Sequence, residues 1–366
     1  MRLFLHGPIT GALFLGALFL SLPSRALAQN SEALTLAPSQ VFSAHPFTRV
    51  RGVQELPDGR VLVADQTEEA LYRVDFQAQS RETLGRRGGG PGEYKSPTGL
   101  HPFVGDSVLM VDLQNGRLAV VSAQGVIQRT MPLFGPGLSI PEATDVLGRR
   151  YWDGVISVRQ AKRQDPSADK APIVRHDPAT GTSDPLAYLT IPGSPNPNAF
   201  PAWDGWAVGP KGRVAIVRNQ DEYRLDWVSP EGTLRRGLPV EGFRPVPVTG
   251  DDEESLRENS AGGRGGMVRM EGQTPRRPPP VEIPDRFPPA KQEGVWVTYD
   301  GRAVVERHQH LTEGRPLLDV FDAQGRRVAS FRLPEGRSVV GTGPSGLYAV
   351  REDELGFLWL ELYALP

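Results

Sequence analysis

The sequence predicts an all-β fold, a six-bladed β-propeller closed by an N-terminal strand. Three observations support this prediction. A pair of short apolar strands recurs six times, turn residues bound the strands, and an apolar stretch stands ahead of the first repeat. A period of about 40–50 residues with several short strands in each unit is typical of a propeller blade.

The repeats are clearest in the first third of the chain. A turn at 57–60 leads into an apolar strand at 61–65, and a second strand follows at 71–75. Later repeats start near glycines that stand in turns, as in the first two. With apolar alternation and glycine-containing turns as boundaries, we predict blades at 50–84, 97–133, 143–191 (with an insertion at 161–171), 202–240, 293–333 and 338–366.

The last repeat is one strand short, because the sequence ends after the strand predicted at 358–365. The apolar stretch 33–44 precedes the first blade and can supply the missing outer strand. Pairing both ends of the chain in one sheet removes an exposed sheet edge. We therefore expect 33–44 to pair with 358–365.

Residues 1–28 have the pattern of a secretory signal peptide, and we assign 29–366 to the propeller. Arg2 precedes an apolar run at 9–22, and the small residues Ala26 and Ala28 provide a cleavage signal. The alternative is an uncleaved anchor, although the run is short for a membrane span. The chain has no cysteine, which excludes disulfides, thiolate metal sites and a lipidated cysteine. We expect a bacterial protein of the periplasm or exterior, not inserted in the membrane after cleavage.

Charge argues against nucleic-acid binding. Removing 1–28 takes away Arg2 and Arg25 and no acid, so the formal net charge changes from −2 to −4. A chain of this sign has no general attraction for nucleic acid or an anionic membrane. We expect a monomer that binds a peptide, a protein or a small molecule.

The stretch 243–289 interrupts the repeats. An acidic segment at 251–257 could form a short helix, and it is followed by the glycine cluster 262–266 and the proline run 278–280. Nothing here alternates like a strand, and the prolines favour polyproline II. The segment is either a surface excursion without regular structure or a lid that orders over a pocket.

Two sequence motifs resemble a known group of proteins. Residues 108–118 contain an apolar strand, Asp112, an Asn-containing turn and a second apolar strand, which resembles the core of an NHL repeat. The glycine-rich loop 85–94, followed by 97–100, resembles a hallmark of bacterial exported six-bladed propeller proteins. The resemblance implies the fold and an exported location, and it implies no reaction.

The glycine-rich loop has a structural and a functional interpretation. It lacks the Gly-Lys-Ser/Thr of a phosphate-binding loop and the helix that such a loop opens. Its glycines permit positive φ in a tight crossing between blades. Alternatively its backbone contacts a ligand, with Arg86, Arg87 and Glu93 supplying charge.

A ring of charged residues is predicted at one rim of the propeller. The ring occupies the end of the second strand in each blade, five or six residues after the turn glycine or its equivalent. Its members in chain order are Asp65, Asp112, Asp153, Arg218, Arg307 and Arg351. The crossings between blades lie on the same face, and binding residues concentrate on loops carried by a rigid scaffold. The alternative is that each aspartate satisfies backbone N–H groups of its own turn.

Metal and catalytic motifs are sparse. His308 and His310 would share one face of a strand with Glu306, and a third well-placed ligand is not identifiable. No serine stands in a nucleophile-elbow motif. We therefore predict no metal and no cofactor, with Ca²⁺ as the one alternative.

Two functions remain open from the sequence. The first is an exported, non-catalytic recognition scaffold that binds its ligand on the elaborated rim. The second is a hydrolase or lyase with a divalent metal held in the central channel by carboxylates such as Asp65 and Asp112. Only analogy at the level of the fold supports the second.

Overall fold

The computed structural model describes residues 33–134, 140–162, 164–165, 167–193, 199–220, 222–262 and 281–366, with the backbone alone at 258–262. The signal-peptide region, and within the 243–289 insertion residues 263–266 of the glycine cluster and the proline run 278–280, lie outside these residues. Within them the chain forms six sheets of at least four strands, antiparallel except for one parallel pairing at the edge of blade 5, so the predicted six-bladed propeller is confirmed.

The strands follow the predicted order. Two of them, β1 (Leu34–Thr35) and β2 (Gln40–Phe47), precede the first blade. Blade 1 contains β3 (Val50–Glu55), β4 (Val61–Asp65), β5 (Ala70–Asp75) and β6 (Ser80–Leu84). The short strands β7 (Arg86–Arg87) and β8 (Glu93–Tyr94) lead to blade 2. This blade contains β9 (Pro97–Pro102), β10 (Val108–Asp112), β11 (Arg117–Val121) and β12 (Ile127–Pro132).

Blade 3 contains β13 (Ala143–Thr144), β14 (Arg150–Asp153), the helix α1 (Val155–Ala161), β15 (Lys170–Asp177) and β16 (Thr182–Thr190). Blade 4 contains β17 (Gly205–Val208), β18 (Val214–Arg218), β19 (Arg224–Val228) and β20 (Leu234–Arg235). The helix α2 (Gly250–Gly262) separates it from blade 5, which contains β21 (Ala290–Val297), β22 (Ala303–Arg307), β23 (Leu317–Phe321) and β24 (Arg327–Arg332). Blade 6 contains β25 (Arg337–Gly343), β26 (Gly346–Glu352) and β27 (Leu358–Tyr363).

The hydrophobic core is distributed between neighbouring blades. Second strands such as β4 and β10 are buried along their whole length, because each is sandwiched between two sheets. Between blades 1 and 2, for example, Leu62 and Leu71 pack with Leu100 and Met110. The first strands of consecutive blades lie side by side in a closed ring around the central channel. Gly52 permits one of these approaches, since a Cβ there would stand 2.9 Å from the backbone nitrogen of Leu100.

The N-terminal strand closes the ring, as predicted, although its first residues pair elsewhere. Strand β2 pairs antiparallel with β27, Gln40 opposite Leu362 and Phe42 opposite Leu360. Strand β1 instead runs parallel to β24 of blade 5, so the expectation that all of 33–44 joins blade 6 is wrong. The backbone N–H of Leu36 still bonds to blade 5, whereas that of Ser39 bonds to blade 6. The chain thus crosses from one sheet to the next around Pro38, whose ring nitrogen has no hydrogen to donate.

The helix α1 corrects the predicted insertion of blade 3. We placed the insertion at 161–171, but α1 starts directly after β14 and the third strand of this blade already begins at Lys170. Among the described residues no helix is long and apolar enough to span a bilayer.

Candidate functional site

One face of the propeller carries all the long connections. In each blade the first strand starts, the second strand ends and the third strand begins on the same face of the propeller. The loops between second and third strands and the crossings between blades therefore lie on this side, which we call the elaborated face. It carries the glycine-rich loop before β9, the helix α1 and the insertion that includes α2.

The elaborated face holds a cavity of about 640 Å³ beside blade 4, which we call the blade-4 pocket. Its walls come from α1, from the crossings on either side of blade 4, and from the loop after β18. Most of the lining side chains are apolar, aromatic or proline, and these include Ile156, Ile191, Phe200, Trp203, Phe287 and Pro288. The pocket is therefore built by segments that a minimal propeller lacks.

The insertion is fixed to blade 5 by one buried carboxylate. Asp252, near the start of α2, accepts hydrogen bonds from Thr249 N at 2.9 Å and Leu311 N at 2.7 Å, and it lies 2.9 Å from His310 Nδ1. Thr249 Oγ1 in turn accepts from Asp252 N, which completes a capping box. Burial opposes ionisation of Asp252, but the hydrogen bonds from His310, Thr249 and Leu311 outweigh it and lower its pKa to about 2.

The described parts of the insertion thus pack against the scaffold. The predicted helix at 251–257 is confirmed within α2, and no named strand occurs in the described parts of 243–289. Backbone hydrogen bonds from Phe287 to Val246 and from Val248 to Asp285 hold its two ends together. These ends supply Pro245, Pro284 and Phe287 to the pocket, and the choice between a lid and a surface excursion stays open for the rest of the segment.

A stack of aromatic rings stands between the blade-4 pocket and a second cavity of about 400 Å³, which His308, Lys291 and Glu306 help to line. The ring of Phe287 lies parallel to that of His308 at 5.7 Å, and Phe200 meets both rings edge-on. Burial, with a smaller contribution from the charge of Lys291, lowers the pKa of His308 to about 4. His308 is consequently a neutral wall residue at physiological pH.

Among the described residues that line the blade-4 pocket, the charged ones are all basic. Arg159, Lys162 and Arg286 line it, and no acidic side chain stands among its described lining residues. The guanidinium of Arg159 lies over the ring of Trp203 at 5.0 Å. Lys162 is 5% exposed, and its Nζ donates to the carbonyl of Gly193 at 3.1 Å. The structure describes no ion pair for any of these three cations.

The aspartates of the predicted rim ring accept hydrogen bonds from backbone and side-chain donors. Asp65 accepts from Thr48 N, Arg49 N, Thr67 N and Glu68 N, so it joins the start of blade 1 to its own turn. Asp112 and Asp153 make the same kinds of contact.

Asp112 accepts from the backbone of Lys95 and Ser96 and from the side chains of Asn115 and Arg117. Asp153 accepts from Val155 N and from the indole of Trp206 in blade 4. Asp65 and Asp112 are fully buried. Backbone N–H groups of the residue's own turn account for part of the contacts of Asp65 and Asp153, whereas the backbone partners of Asp112 belong to the crossing before blade 2.

The arginines of the ring fold back onto acids of their own blades. Arg218 donates to Asp204 and Asp226, and Arg351 lies 3.6 Å from Glu361. Arg307 lies 4.0 Å from Asp319, with its guanidinium 4.9 Å from the ring of Phe243. All six ring residues lie at second-strand ends on the elaborated face, one strand away from the channel axis. None is among the described residues that line the central cavity of about 330 Å³. Ligand binding by the ring stays a prediction.

The glycine-rich loop is held by its own side chains and by contacts with blades 1 and 2, the latter through Asn115, whose amide donates to the carbonyl of Gly88. Arg86 donates to Glu93 at 2.7 Å, and Glu93 accepts from Gly90 N at 2.7 Å. Arg87 pairs with Glu69 of blade 1. A Cβ on Gly85, whose φ is +66°, would stand 2.9 Å from the carbonyl of Gly92. These contacts agree with the structural interpretation of the loop, and ligand contact by Arg86, Arg87 and Glu93 stays untested.

The residues weighed as metal ligands in the sequence lie apart in the structure. β22 ends at Arg307, so His308 and His310 lie in the following loop, and the strand face that they would share with Glu306 does not form. Glu306 pairs with Lys291, His308 stacks on Phe287 and His310 contacts Asp252. No group of three or more His, Asp or Glu within the described ranges is arranged to hold a metal.

Sequence reasoning missed the residues of the blade-4 pocket. Phe200 and Phe287 lie far apart in the sequence, in segments with no strand or helix periodicity. The signal that could have found them is the recurrence of proline beside an aromatic residue, in Phe200–Pro201 and Phe287–Pro288, in both crossings that flank blade 4.

Comparisons with known proteins found similar solved structures but no matching sequence family. No family model matches the sequence, and no curated protein matches it. A protein of the DUF4221 family from Bacteroides vulgatus is 12% identical, covering 90% of this chain and 95% of its own, with a TM-score of 0.48. The calcium-binding protein regucalcin from Agrobacterium tumefaciens is 16% identical (90% and 95%, TM-score 0.43).

A gluconolactonase from Xanthomonas campestris is 12% identical to this chain, with coverage of 91% and 97% and a TM-score of 0.44. At these identities the likeness to all three proteins concerns the fold alone.

Proposed function

We propose that this protein is an exported, non-catalytic recognition propeller that binds a small apolar ligand in the blade-4 pocket. The observation that carries the proposal is the pocket itself, about 640 Å³ with mainly apolar walls. Ligand sites for small molecules are concave, mostly apolar and about 300–1,000 Å³ in volume. The volume favours a small molecule over a protein partner.

The walls of the pocket are held in place before any ligand arrives. Asp252 ties the insertion to the loop after β22, and the stack of Phe287 on His308 fixes the wall that this insertion supplies. Trp203 is covered by the guanidinium of Arg159. A site that is already ordered loses less conformational entropy on binding, so more of the apolar contact appears as affinity.

The alternative function, an enzyme with a metal in the channel, needs carboxylates that are available to a cation. A Ca²⁺ ion is coordinated by six or more oxygen atoms that converge on it. Asp65 and Asp112 already accept several hydrogen bonds each, and neither is among the described residues of the central cavity. These residues do not fit a Ca²⁺ site, so we derive no reaction through one.

A pocket-filling variant tests the proposed function. The fluorescent probe anilinonaphthalenesulfonate should bind the wild-type protein with a stoichiometry of one, because the pocket is a single cavity of about 640 Å³ with mainly apolar walls. Ala202→Trp places an indole in the pocket and should abolish binding. Gln124→Trp adds an indole to a turn on the opposite face and should leave binding unchanged.

A second pocket variant guards against a folding defect in the first. Ile156 is 71% exposed at the pocket, so Ile156→Glu should fold normally and weaken binding of the anionic probe. Arg129→Ala changes the charge at an exposed residue of blade 2 outside the pocket and is the matched control. Equal binding by wild type, Ala202→Trp and Ile156→Glu would refute the proposal.

A further inference from the structure

We infer that the ligand of the blade-4 pocket carries a monoanionic head group such as a carboxylate, which the ammonium of Lys162 binds inside the cavity. The inference rests on the proposed function and adds the chemical class of the ligand, an amphipathic acid with an apolar or aromatic body.

Lys162 is a buried cation with spare hydrogen-bonding capacity. Its residue is 5% exposed, and an ammonium carries three donor protons. Within the described part of the chain Nζ has one acceptor, the carbonyl of Gly193, and no carboxylate partner. A buried charge without a counter-ion is costly. An anionic ligand that enters the pocket would supply both the missing charge and the missing acceptors.

The two amide side chains that the loop after β18 contributes to the pocket are already engaged in hydrogen bonds. Asn219 donates to the carbonyls of Trp203 and Ala290 and accepts from Ala290 N. Gln220 donates to Ala202 O and to Asp204. These amides hold the crossings that form the walls. Lys162 is therefore the buried group that can still donate hydrogen bonds to a ligand.

The charge balance of the pocket differs from that of its surroundings. A few residues away, Arg218 is matched by the carboxylates of Asp204 and Asp226. At the pocket, Arg159 and Arg286 are exposed and join Lys162 without a described acid among the lining residues. Basic groups at the opening would attract an anion, and the buried ammonium would then bind it.

The solvent exposure of the lining residues indicates which end of the pocket is open and hence which way the ligand would lie. Ile156 and Arg159 are exposed, whereas Lys162, Ile191 and Phe287 are buried. The head group would therefore enter first and reach Lys162, with the apolar body between Phe200 and Phe287 on one side and Trp203 on the other.

Calorimetric titration with a matched pair of probes tests the inference. Naphthylacetate carries a carboxylate, and naphthylacetamide has the same shape without the charge. We expect wild type to prefer the acid on the order of tenfold to a hundredfold, the range of a hydrogen bond to a charged group. Lys162→Gln keeps a donor for Gly193 O and removes the charge, so it should bind both probes with the affinity of the amide.

Lys170→Met is the matched control, because Lys170 donates to Thr190 outside the pocket, and it should keep the wild-type preference. If Lys162→Gln fails to fold, Lys162→Arg, which keeps the charge, is compared with Ile156→Glu, which should reduce acid binding more than amide binding. Equal affinity of wild type for acid and amide, both lost in Ala202→Trp, would overturn the inference and leave the proposed function standing. Binding of neither probe would overturn both.

Discussion

Arg218, at the end of the second strand of blade 4, donates from Nε to Asp226 Oδ2 at 2.8 Å across to the third strand. Asp226 stands opposite Ile216, so the pair is diagonal on one face of the sheet. Arg307 and Asp319 in blade 5, and Arg351 and Glu361 in blade 6, occupy the same two positions. The sign-segregated ring of the sequence is therefore explained in part by internal charge compensation.

We expect Arg218→Leu to lower the free energy of unfolding by about 3–5 kcal/mol, because it leaves the buried carboxylate of Asp204 without a described cation and takes from Asp226 one of its two, the other being Arg224. Urea denaturation measures the loss. Arg236→Leu, at an exposed arginine that follows β20, is the control and should change stability little. The double variant Arg218→Leu, Asp226→Asn should lose less than the two single variants summed. Full additivity would show that the two residues are not coupled.

The closing strand gives a second prediction. Phe42 is fully buried, and its ring lies 6.0 Å from those of Phe47 and Phe76. We expect Phe42→Ala to cost about 3–5 kcal/mol in the free energy of unfolding, as for other buried phenylalanines. Val41→Ala, at the 37% exposed neighbour, should stay within about 0.5 kcal/mol of wild type. Equal losses from the two variants would mean that this strand does not close the ring in solution.

The anchor of the insertion is tested by Asp252→Ala, which removes an acceptor of Thr249, His310 and Leu311. Losing this network should destabilise the segment locally by about 1–3 kcal/mol. Hydrogen exchange should rise at the start of α2 and in the loop after β22, and exchange in the blades should remain unchanged. Asp251→Ala, at the exposed neighbour, is the control. Unchanged exchange in Asp252→Ala would refute the anchor.

His308 should make the free energy of unfolding fall as the solution is acidified. Its pKa falls from 6.5 to about 4 on folding, so between these values the unfolded chain binds a proton that the folded chain does not. The free energy of unfolding should therefore decrease as pH falls through this window. His308→Phe keeps a ring against Phe287 and should lose less stability on acidification, measured by thermal melting. His45→Phe, on the exposed face of β2, should follow wild type, and identical pH profiles for His308→Phe and wild type would contradict this assignment.

The fold was predictable because its signals are local. Turn glycines such as Gly59 and Gly301 have positive φ, and short apolar strands follow them at a constant offset. This offset located Asp65 and Arg218 at equivalent positions, but it could not supply their partners. The partner of Arg218 depends on strand pairing, and that of Asp252 depends on a contact with a loop about 60 residues away. The pocket escaped prediction for the same reason, since its walls meet only through tertiary contacts.

The most direct test of the central claim, that the blade-4 pocket binds an amphipathic acid, is a crystal structure with bromonaphthylacetate, in which anomalous scattering locates the bromine. We predict one bromine peak between Phe200, Phe287 and Trp203, with the carboxylate within hydrogen-bonding distance of Lys162 Nζ. Bromine in the central channel or beside the arginines of the ring, with the blade-4 pocket free of ligand, would contradict the account.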